Sequence, residues 1–322
     1  MSENELWTRR GVVVAGPPAE HRWWASHAQT PTPLVFGPRH WRVYFSARDA
    51  RSRARMIYVD IDPLDDMRVL RVHDTPLLTP GLPGRFDSAG QGASHVVRER
   101  NKVLLYYVGM HLRLDVPYGI CVGMAESDDG GNSFSPISEG PILSIGQLDP
   151  YFASLIHVTP LHDGSRTGWF MTGTGWEARS NGIHDPVYGL RRAVSADGRH
   201  WTPTAVTIGV DDGIFNEPVG LARPWVASLG GTDRLWFSHR SRRDFRTDVD
   251  AAYRIMEIDL DSSGAPESAP RLLRFANPPG PGDWDGLMQA YPSILPLGSG
   301  HVMFYNGNGF GASGFGWATL GL

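Results

Sequence analysis

The sequence predicts an all-β protein folded as a single five-bladed β-propeller. Short apolar and aromatic segments recur along the 322 residues at nearly constant spacing. Repeats of this length, each with room for several strands and without a helical pattern, are typical of propeller blades. The 38 glycines and 25 prolines suit the many tight turns that such a fold requires. The middle residues of the segments are Tyr44, Tyr106, Phe170, Trp236 and Phe304, separated by 62, 64, 66 and 68 positions.

Each repeat has the same order of segments, and this order defines the predicted blades. A polar segment with an acid or a histidine comes first, followed by a β-rich strand, the aromatic strand, a third strand and an outer strand. We expect residues 1–26 to supply a strand that closes the ring, because an uncovered sheet edge is a liability. The predicted blades cover residues 27–80, 86–143, 149–208, 216–275 and 284–320.

Two turn motifs support this interpretation. Residues 127–134 have the Ser-x-Asp-x-Gly-x-x-Phe pattern of an Asp-box hairpin, and residues 195–201 are a shortened version. In such a turn the Asp accepts hydrogen bonds from backbone amides, a glycine takes the positive φ, and the aromatic side chain packs between blades. We therefore expect Asp129 and Asp197 to be structural rather than catalytic.

Composition excludes several classes of function. The formal net charge of −4 provides no global attraction for nucleic acid or for acidic membranes. No run of about 18 apolar residues is present, and the N-terminal segment lacks the pattern of a signal peptide. A cytoplasmic location is therefore expected. The single cysteine, Cys121, cannot form an internal disulfide and lacks the surroundings of a nucleophile elbow. The oligomeric state is not indicated.

Acidic residues precede the first strand of four predicted blades and are expected to share one functional site, with Asp87, Asp149 and Glu217, together with His27, as the catalytic candidates. The first strand of a propeller blade begins at the mouth of the central funnel, so side chains just ahead of it are expected to converge. Paired carboxylates can protonate a leaving oxygen and activate water or attack a sugar carbon, which favours glycosidic chemistry. In blade order these positions hold His27 and Gln29, Asp87, Asp149, Glu217, and Asp285.

Further polar and aromatic residues are expected to complete the pocket. Arg48 and Arg223 are candidates for a bidentate clamp on a carboxylate or phosphate, with a structural pairing as the alternative. Trp176 with Glu177, and Tyr291, are candidates for contact with a sugar face, with core packing as the alternative. The other substrate-binding candidates are Gln29, His95, His157, His239, Arg240, Asp285, Asn306 and Asn308.

No motif for a cofactor or a metal is present in the sequence. It contains no HExxH motif, no cysteine cluster and no acidic loop of the calcium-binding type. We therefore expect no cofactor and no metal ligands. His95 and His157 fall in two of the inner strands, which leaves a cation on the axis as an alternative. The expected ligand is a small molecule or an oligosaccharide.

Two short motifs give the chain a resemblance to a known clan. Leu148-Asp149-Pro150-Tyr151 and Asn216-Glu217-Pro218 place their acids 68 residues apart. In order and spacing they resemble motifs of the five-bladed propeller glycosidases, the clan of glycoside hydrolase families 43 and 32, with the family 130 mannoside phosphorylases as cousins. The resemblance implies that Asp149 stabilises the transition state and that Glu217 donates the proton.

The chain departs from the clan at the start of blade one. Relatives hold a base or nucleophile Asp there, whereas residues 26–31 read Ser-His-Ala-Gln-Thr-Pro. His27, with an ordinary pKa near 6.5, or Asp87 is then the expected base. The segments 27–33, 44–49, 172–177, 222–224 and 305–311 also resemble a bacterial group of glycosidase-like propellers linked with polysaccharide or sugar-tailoring pathways.

The sequence as a whole predicts a carbohydrate-active enzyme of the glycoside hydrolase type. Because blade one lacks its Asp, two alternatives stay open. One is a phosphorylase or transferase-like enzyme in which Arg48, Arg223 and Arg240 hold a phosphate or a nucleotide-sugar tail. The other is a propeller that binds glycans without catalysis.

Overall fold

The computed structural model describes residues 6–18, 21–179, 182–210, 213–215 and 220–322. Within these ranges the protein is an all-β structure with one short helix, α1 (Asn308–Gly311). No described helix is long and apolar enough to cross a membrane. The strands are β1 (Thr8–Val14), β2 (Ser26–Gly37), β3 (His40–Arg48), β4 (Ala54–Asp62), β5 (Arg68–Val72), β6 (Gly90–Glu99), β7 (Lys102–His111), β8 (Gly119–Ser127), β9 (Ser135–Pro136), β10 (Ala153–Pro160), β11 (Arg166–Ala178), β12 (His184–Ser195), β13 (Thr202–Ile208), β14 (Gly220–Leu229), β15 (Thr232–Arg240), β16 (Arg254–Asp259), β17 (Arg271–Leu272), β18 (Ala290–Leu297), β19 (Gly300–Asn306) and β20 (Phe315–Leu320).

Antiparallel pairing of consecutive strands builds the sheets. β2 to β5 form one four-stranded sheet and β6 to β9 form another, both in chain order. β10 to β13 and β14 to β17 are two further runs of four strands, joined by a single parallel pair between Tyr188 and Gly220. β18, β19 and β20 share a sheet with β1, which pairs with β20. The N-terminal strand thus covers the edge of the sheet formed by the end of the chain.

The first strands of these runs contact one another in a ring. β2 contacts β6, β6 contacts β10, β10 contacts β14, β14 contacts β18, and β18 contacts β2. The next strand of each run carries one of the recurring aromatic segments. The middle residues of these segments are completely buried. The aromatic period in the sequence therefore marks the second strand of each run, which lies behind the ring of first strands.

A β-bulge interrupts each first strand near its start. Such a bulge adds an unpaired residue and re-aims the chain. Four of the five bulged residues, all except Ser94, have a φ between 46° and 58°. Residues other than glycine rarely adopt this region. The bulged residues are Thr30 in β2, Ser94 in β6, Leu155 in β10, Arg223 in β14 and Tyr291 in β18.

Polar side chains on the second strands hold these bulges in place. Ser46 Oγ accepts a hydrogen bond from the backbone N of Ala93 in the next run, at 2.9 Å. Asn306 Oδ1 accepts one from the backbone N of Thr30, at 2.7 Å. Ser238 Oγ does the same for Tyr291, at 2.6 Å. The bulges are therefore fixed across the boundaries between runs.

Arg223 occupies the centre of the ring. Its Nη2 donates to the carbonyl oxygen of Pro31 at 3.0 Å and to Thr32 Oγ1 at 2.8 Å, while Nη1 donates to the carbonyl oxygen of Ser94. The residue is only 1% exposed, and burial lowers the pKa of its guanidinium to about 9. One side chain from β14 thereby connects this strand to β2 and β6.

Both predicted Asp-box turns form and connect neighbouring runs. Asp129 Oδ1 accepts hydrogen bonds from the backbone N of Asn132 and Ser133, at 2.9 and 3.0 Å. The hydroxyl group of Tyr44 donates to the carbonyl oxygen of Gly131 in this turn, at 3.1 Å. In the turn of Asp197, the corresponding bond runs from Tyr106 to Gly198, also at 3.1 Å. The turns are structural, as expected.

Replacing Asp129 with alanine is expected to lower the melting temperature at pH 7. The loss of its hydrogen bonds in the turn should reduce the free energy of unfolding by about 1 kcal/mol. Burial acts to raise the pKa of Asp129, but hydrogen bonds from Ser127, Ser133 and Asn132 lower it to about 2. Because the folded-state pKa lies below the unfolded value, this stabilisation is present above about pH 4 and is lost as the pH falls towards 2. Thermal melts at pH 7, 4 and 2 measure the effect.

The matched control is Asp128→Ala, since Asp128 is exposed and its ion pair with Lys102, at 3.3 Å, is a surface contact. It should leave the melting temperature nearly unchanged. Equal melting of the Asp129 variant and the wild-type protein at pH 7 would contradict the structural role of the turn.

Candidate functional site

A cavity of about 480 Å³ lies where the first strands begin. Every strand of the contact ring lines it, at or next to its bulge. This is the point in the described structure at which the runs of strands converge on one space. The contributions are Gln29 and Thr30 from β2, Gly92 and Ala93 from β6, Ser154 and Leu155 from β10, Ala222 from β14 and Tyr291 from β18.

The charged residues of the described lining are arginines. Arg48 ends β3, Arg240 ends β15, and Arg246 lies in the loop between β15 and β16. Within the described ranges no Asp or Glu lines the cavity. Asp185 neutralises one of the arginines, since it accepts hydrogen bonds from Arg246 at 2.9 and 3.1 Å. A cationic cavity in a chain of net charge −4 attracts anionic groups.

Arg48 and Arg240 make hydrogen bonds to neutral groups in the described part of the chain. Arg48 Nε donates to Gln29 Oε1 at 3.3 Å. Arg240 Nε donates to the hydroxyl oxygen of Tyr188 at 3.1 Å, and its Nη1 donates to the carbonyl oxygen of Ser241 at 2.9 Å. The ring of Phe245 lies 3.8 Å from the Arg240 guanidinium carbon. Within the described ranges neither arginine forms an ion pair with a carboxylate.

Tyrosine side chains add to the polar lining of the cavity, which also includes Gln29, Thr30, Ser46 and Ser154. Tyr188, Tyr253 and Tyr291 line it, and the hydroxyl groups of Tyr188 and Tyr253 are hydrogen-bonded to each other. Burial raises the pKa of Tyr253 and Tyr291 well above the ordinary value of 10. These phenols are therefore neutral at physiological pH and act as hydrogen-bonding groups, not as bases.

The histidines near the cavity are neutral. Burial and the charge of Arg48 lower the pKa of His27 to about 4, and burial and the charge of Arg240 do the same for His239. Neither residue is among those that line the cavity. His27 Nδ1 lies 2.9 Å from Ser26 Oγ, and His239 stacks on Phe215. A histidine with a pKa near 4 is a weak base at neutral pH, so this geometry gives no support to His27 as the base.

Asp149 is buried behind the cavity rather than exposed to it. The residue is 1% exposed. Its carboxylate accepts a hydrogen bond from Thr172 Oγ1 on β11 at 2.5 Å and one from Arg191 Nε on β12 at 2.9 Å. Arg191 also donates to the carbonyl oxygen of Leu148. These contacts connect the segment ahead of β10 to the two strands behind it.

Asp87 and Asp285 occupy equivalent buried positions and are completely inaccessible to solvent. Asp87 accepts hydrogen bonds from Gln91 Nε2 at 2.9 Å and from the hydroxyl group of Tyr107 at 3.2 Å. Asp285 accepts them from Arg9 and, at 2.7 Å, from the hydroxyl group of Tyr305. The expected convergence of Asp87, Asp149 and Asp285 on the funnel is therefore corrected, because all three point to the second strands.

Glu217, the expected proton donor, lies outside the described residues. The description resumes at Gly220, three residues further along the chain. Gly220 pairs with Arg240 and with Tyr188, both of which line the cavity.

Arg223, His95 and His157 lie in the ring centre and not in the cavity, which corrects their expected role as ligand contacts. Arg223 is bonded to strand carbonyls as described above. The rings of His95 and His157 lie 4.2 Å apart, and Trp225 packs against His157 at 4.5 Å. Burial and the charge of Arg223 lower the pKa of His95 to about 3. The histidines are thus neutral packing residues.

Trp176 and Glu177 lie beside the cavity. Trp176 is half-buried and packs edge-on against Tyr118, which lines the cavity, with ring centroids 5.3 Å apart. Glu177 forms an ion pair with Arg242. Neither lines the cavity, so a platform for a sugar face is not formed by Trp176 in this structure.

Asn306 and Asn308 stabilise loops and are not among the residues that line the cavity. Asn306 is completely buried, and its Nδ2 donates to the carbonyl oxygens of Ala28 and Gly314 at 2.6 and 2.8 Å. Asn308 Oδ1 accepts hydrogen bonds from the backbone N of Leu287 and Met288, at 2.8 and 3.0 Å. Asn306 contributes to the site indirectly, because it fixes the Thr30 bulge.

Of the expected binding residues, the cavity brings together Gln29, Arg48, Arg240 and Tyr291. Sequence reasoning missed Tyr188, Arg246 and Tyr253. Arg246 and Tyr253 belong to the segment 241–253, which is the longest connection between a second and a third strand. A loop of this length in a protein of tight turns is typical of a functional segment, so its length was the available indication.

The described residues contain no group of three or more His, Cys, Asp or Glu side chains placed to hold a metal ion. Cys121 is buried, and its sulfur lies 3.2 Å from Ser144 Oγ. Burial raises the pKa of its thiol, which disfavours the thiolate.

Curated relatives of the chain come from Mycobacterium tuberculosis. The chain is 30% identical over 319 residues to the uncharacterized protein Rv1502 of strain H37Rv, covering 98% of this chain and 99% of the relative. The uncharacterized protein MT1551 of strain CDC 1551 matches with the same identity and coverage. No protein-family profile matches the chain.

Solved structures with similar folds are glycoside hydrolases and related phosphorylases. A structure described as a glycoside hydrolase superposes with a TM-score of 0.70 at 14% identity, covering 99% of this chain and 92% of its own. A structure from the GH130 family of mannoside phosphorylases gives 0.66 at 13% identity, covering 99% and 94%. The GH43_1 enzyme of Xanthomonas citri complexed with xylose gives 0.58 at 15% identity, covering 96% and 88%. The all-β fold is thus that of propeller-like glycoside hydrolases.

Proposed function

The chain belongs to the same family as the Mycobacterium tuberculosis protein Rv1502, and we propose that it is a carbohydrate-active enzyme that cleaves a glycosidic bond in the cavity. One observation carries the proposal: β2, β6, β10, β14 and β18 all line a single cavity that offers arginine and tyrosine donors. Such convergent polar groups in a concave site are typical of small-molecule binding. The likeness to glycoside hydrolase folds supports a sugar as the ligand.

The proposal includes a five-bladed propeller with the blade ranges given above. The ring of contacts among first strands and the pairing of β1 with β20 support this arrangement. In a propeller the first strands surround the axis, so the cavity would be the mouth of the funnel.

Glu217 is the proposed proton donor to the leaving oxygen. It precedes its strand at the same place as the three buried aspartates, but its side chain is one methylene longer. The second-strand position of Tyr107 and Tyr305, which donate to Asp87 and Asp285, holds Phe237, which has no hydroxyl group. Support also comes from Gly220, three residues on, which pairs with the lining residue Arg240.

Gln29, Arg48, Arg240 and Tyr291 are the proposed substrate-binding residues. The guanidinium groups and the neutral phenol donate hydrogen bonds, and sugar hydroxyl oxygens accept them. Arg48 and Gln29 are already joined by a hydrogen bond, so they would contact neighbouring oxygens of one sugar.

Phosphorolysis is the second candidate, and the arginines favour it. The described lining offers no carboxylate to activate water, whereas a phosphate ion bound by Arg48 and Arg240 would itself be the nucleophile. A phosphate oxygen would form the new bond to the anomeric carbon as the glycosidic C–O bond breaks. The proton from Glu217 would go to the leaving oxygen. This route requires one protein carboxylate instead of two.

Turnover of a panel of glycosides and oligosaccharides, measured with and without inorganic phosphate, tests both candidates. We expect at least one member to be cleaved. A sugar 1-phosphate formed only with phosphate present would select phosphorolysis, and a reducing sugar formed without phosphate would select hydrolysis. Binding of sugars without any product would contradict the enzymatic proposal.

Replacing Arg48 with glutamine is expected to lower kcat/KM by about 10- to 100-fold, because a charge-assisted hydrogen bond to the ligand is lost. If phosphate is the nucleophile, the KM for phosphate should rise most. The matched control is Arg192→Gln. Arg192 is half-buried on β12 and donates to the neutral Thr167 Oγ1 at 2.9 Å, outside the cavity. Equal values of kcat/KM for Arg48→Gln and Arg192→Gln would show that Arg48 does not contact the substrate.

A further inference from the structure

Two arginines of the cavity lining have only neutral hydrogen-bond partners in the described part of the chain. Arg48 is the last residue of β3, and Arg240 is the last residue of β15, so both end the second strand of their run. Their acceptors are an amide oxygen, a phenol and backbone carbonyls. Arg240 is only 2% exposed. Because a buried cation without a counter-charge costs free energy, an anion that enters the cavity beside it is stabilised.

A carboxylate is the usual partner of a buried arginine, and other arginines of this protein have one. Arg42, which is 5% exposed, pairs with Asp60 at 2.8 Å. Arg246, the third arginine of the lining, is bonded to a carboxylate as described above. In a ligand site, the partner missing from Arg48 and Arg240 is the one that the ligand supplies.

Both arginines retain N–H groups for a ligand. A guanidinium group has five N–H donors. Among the described contacts Arg48 uses only the one on Nε, so the four on its terminal nitrogens have no described acceptor. Arg240 donates one hydrogen bond from each nitrogen, which leaves one N–H on each terminal nitrogen. Paired N–H groups of a guanidinium match the two oxygens of a carboxylate or a phosphoryl group.

Tyr291 lies near both arginines, which places their charges around one part of the cavity. Burial raises the pKa of its phenol, while the charges of Arg240 and Arg48 act in the opposite direction. The two cations therefore act on the same hydroxyl group. Gln29 is hydrogen-bonded to Arg48 and lines the cavity as well. Neutral polar groups thus accompany the two cations, and the hydroxyl groups of a sugar are suitable partners for them.

Apolar side chains form much of the remaining lining, which favours an organic ligand over an inorganic ion alone. Val108, Met110, Ile120 and Met171 belong to this part of the cavity, whose volume is about 480 Å³. Such walls suit the C–H surface of an organic molecule, whereas a hydrated inorganic ion gains nothing from them. The lining therefore indicates a ligand that combines anionic oxygens with a carbon skeleton.

We propose that the substrate of the cavity is an acidic sugar, whose carboxylate or phosphoryl ester is bound by Arg48 and Arg240. The inference rests on the proposed function and names the substrate class of that same site. Carboxylates and phosphoryl esters share the pair of anionic oxygens that a guanidinium recognises. The anionic group is part of the sugar, so it differs from the free phosphate that phosphorolysis would consume.

Calorimetric binding of matched methyl glycosides in phosphate-free buffer tests the proposal. One pair is methyl glucoside and methyl glucuronide, the other is methyl galactoside and methyl galacturonide, and the 6-phosphates of the two neutral glycosides form a third arm. We expect an acidic member to bind about 10- to 100-fold more tightly than its neutral counterpart, because charge-assisted hydrogen bonds are stronger. Tighter binding of a uronide would assign a carboxylate, and tighter binding of a 6-phosphate would assign a phosphoryl ester.

Replacing Arg48 should change this preference without changing the fold. Arg48→Gln should remove most of the preference for the acidic member. Arg48→Lys should keep part of it, because lysine retains the charge but lacks the paired N–H groups. Arg48 is half-buried and its described side-chain hydrogen bond is to Gln29, so we expect both variants to fold, and thermal melts check this. Arg192→Gln is again the matched control and should keep the full preference.

Equal affinity within every pair, absence of binding by every acidic member, or a preference that survives in Arg48→Gln would overturn the proposal. Inorganic phosphate that binds alone, loses affinity in Arg48→Gln and strengthens the binding of a neutral glycoside would also overturn it, because the arginines would then hold a co-substrate. Failure of the proposed function has a different signature. In that case no glycoside is cleaved, while the preference for acidic sugars and its loss in Arg48→Gln persist.

Discussion

Replacing Asp149 with alanine is expected to destabilise the protein by about 3–5 kcal/mol. The substitution removes the carboxylate from a buried ion pair and leaves the partner charge without compensation. Asp149 is 1% exposed and accepts a hydrogen bond from Arg191 Nε at 2.9 Å. Arg191 is itself buried, at 6% exposure. Urea unfolding and thermal melts measure the loss.

The control for this prediction is Asp163→Ala. Asp163 is an exposed turn residue that accepts hydrogen bonds from Ser165, at 2.9 Å from its backbone N. It should change stability by well under 1 kcal/mol. If the Asp149 variant melts like the wild-type protein but loses turnover, Asp149 acts on the substrate, as the resemblance to the glycosidase clan implied, and the structural assignment is wrong.

Glu217→Gln is expected to lower turnover by about 10²- to 10⁴-fold, the usual contribution of a general acid. Glutamine keeps the shape of the side chain and removes the proton that the leaving oxygen needs. We expect the melting temperature to change little, in contrast to the Asp149 variant. Steady-state kinetics on whichever glycoside the panel identifies, together with a thermal melt, provide both readouts.

The activity of the Glu217 variant also depends on the leaving group. A substrate with an acidic leaving group, such as a nitrophenyl glycoside, needs no protonation and should be cleaved nearly normally by Glu217→Gln. Glu139→Gln is the control, because Glu139 is almost fully exposed and distant in sequence. A drop in melting temperature with unchanged turnover would instead show that Glu217 has a structural role like that of the three buried aspartates.

The strand pattern could be predicted from the sequence because each run of strands buries the same position of its second strand. Tyr44, Tyr106, Phe170, Trp236 and Phe304 are all completely buried, and each sits on a second strand that must fill the space behind the first. Residues with that role must be apolar or aromatic in every run, so the period is visible. The Asp-box turns were visible for a related reason, since only a short acid and a glycine satisfy that backbone geometry.

The site was predicted only in part, because the first-strand residues that line the cavity lie further along the chain than the acids that were expected to line it. Asp149 precedes the lining residue Ser154 by five positions, and Asp285 precedes Tyr291 by six. At the acids the chain still turns towards the second strand, where Thr172 and Tyr305 provide hydroxyl donors. The described lining residues of the first strands lie at or next to the bulges.

Bulges leave little trace in a single sequence. The residues at the five bulges are Thr, Ser, Leu, Arg and Tyr, which share no chemical property. The positions are set by pairing register and by bonds from the neighbouring run, such as that from the backbone N of Tyr291 to Ser238 Oγ. Arg223 illustrates the consequence. Its sequence context suggested an anion clamp, whereas the bulge directs its side chain to carbonyl oxygens in the ring centre.

The most direct test of the central claim is a crystal structure soaked with a panel of glycans. We predict sugar density in the cavity, within hydrogen-bond distance of Arg48, Arg240 or Tyr291, with the scissile oxygen within reach of Glu217. Sugar bound only elsewhere on the surface, or a cavity whose bound sugar lies beyond the reach of any carboxylate, would contradict glycosidic chemistry at this site.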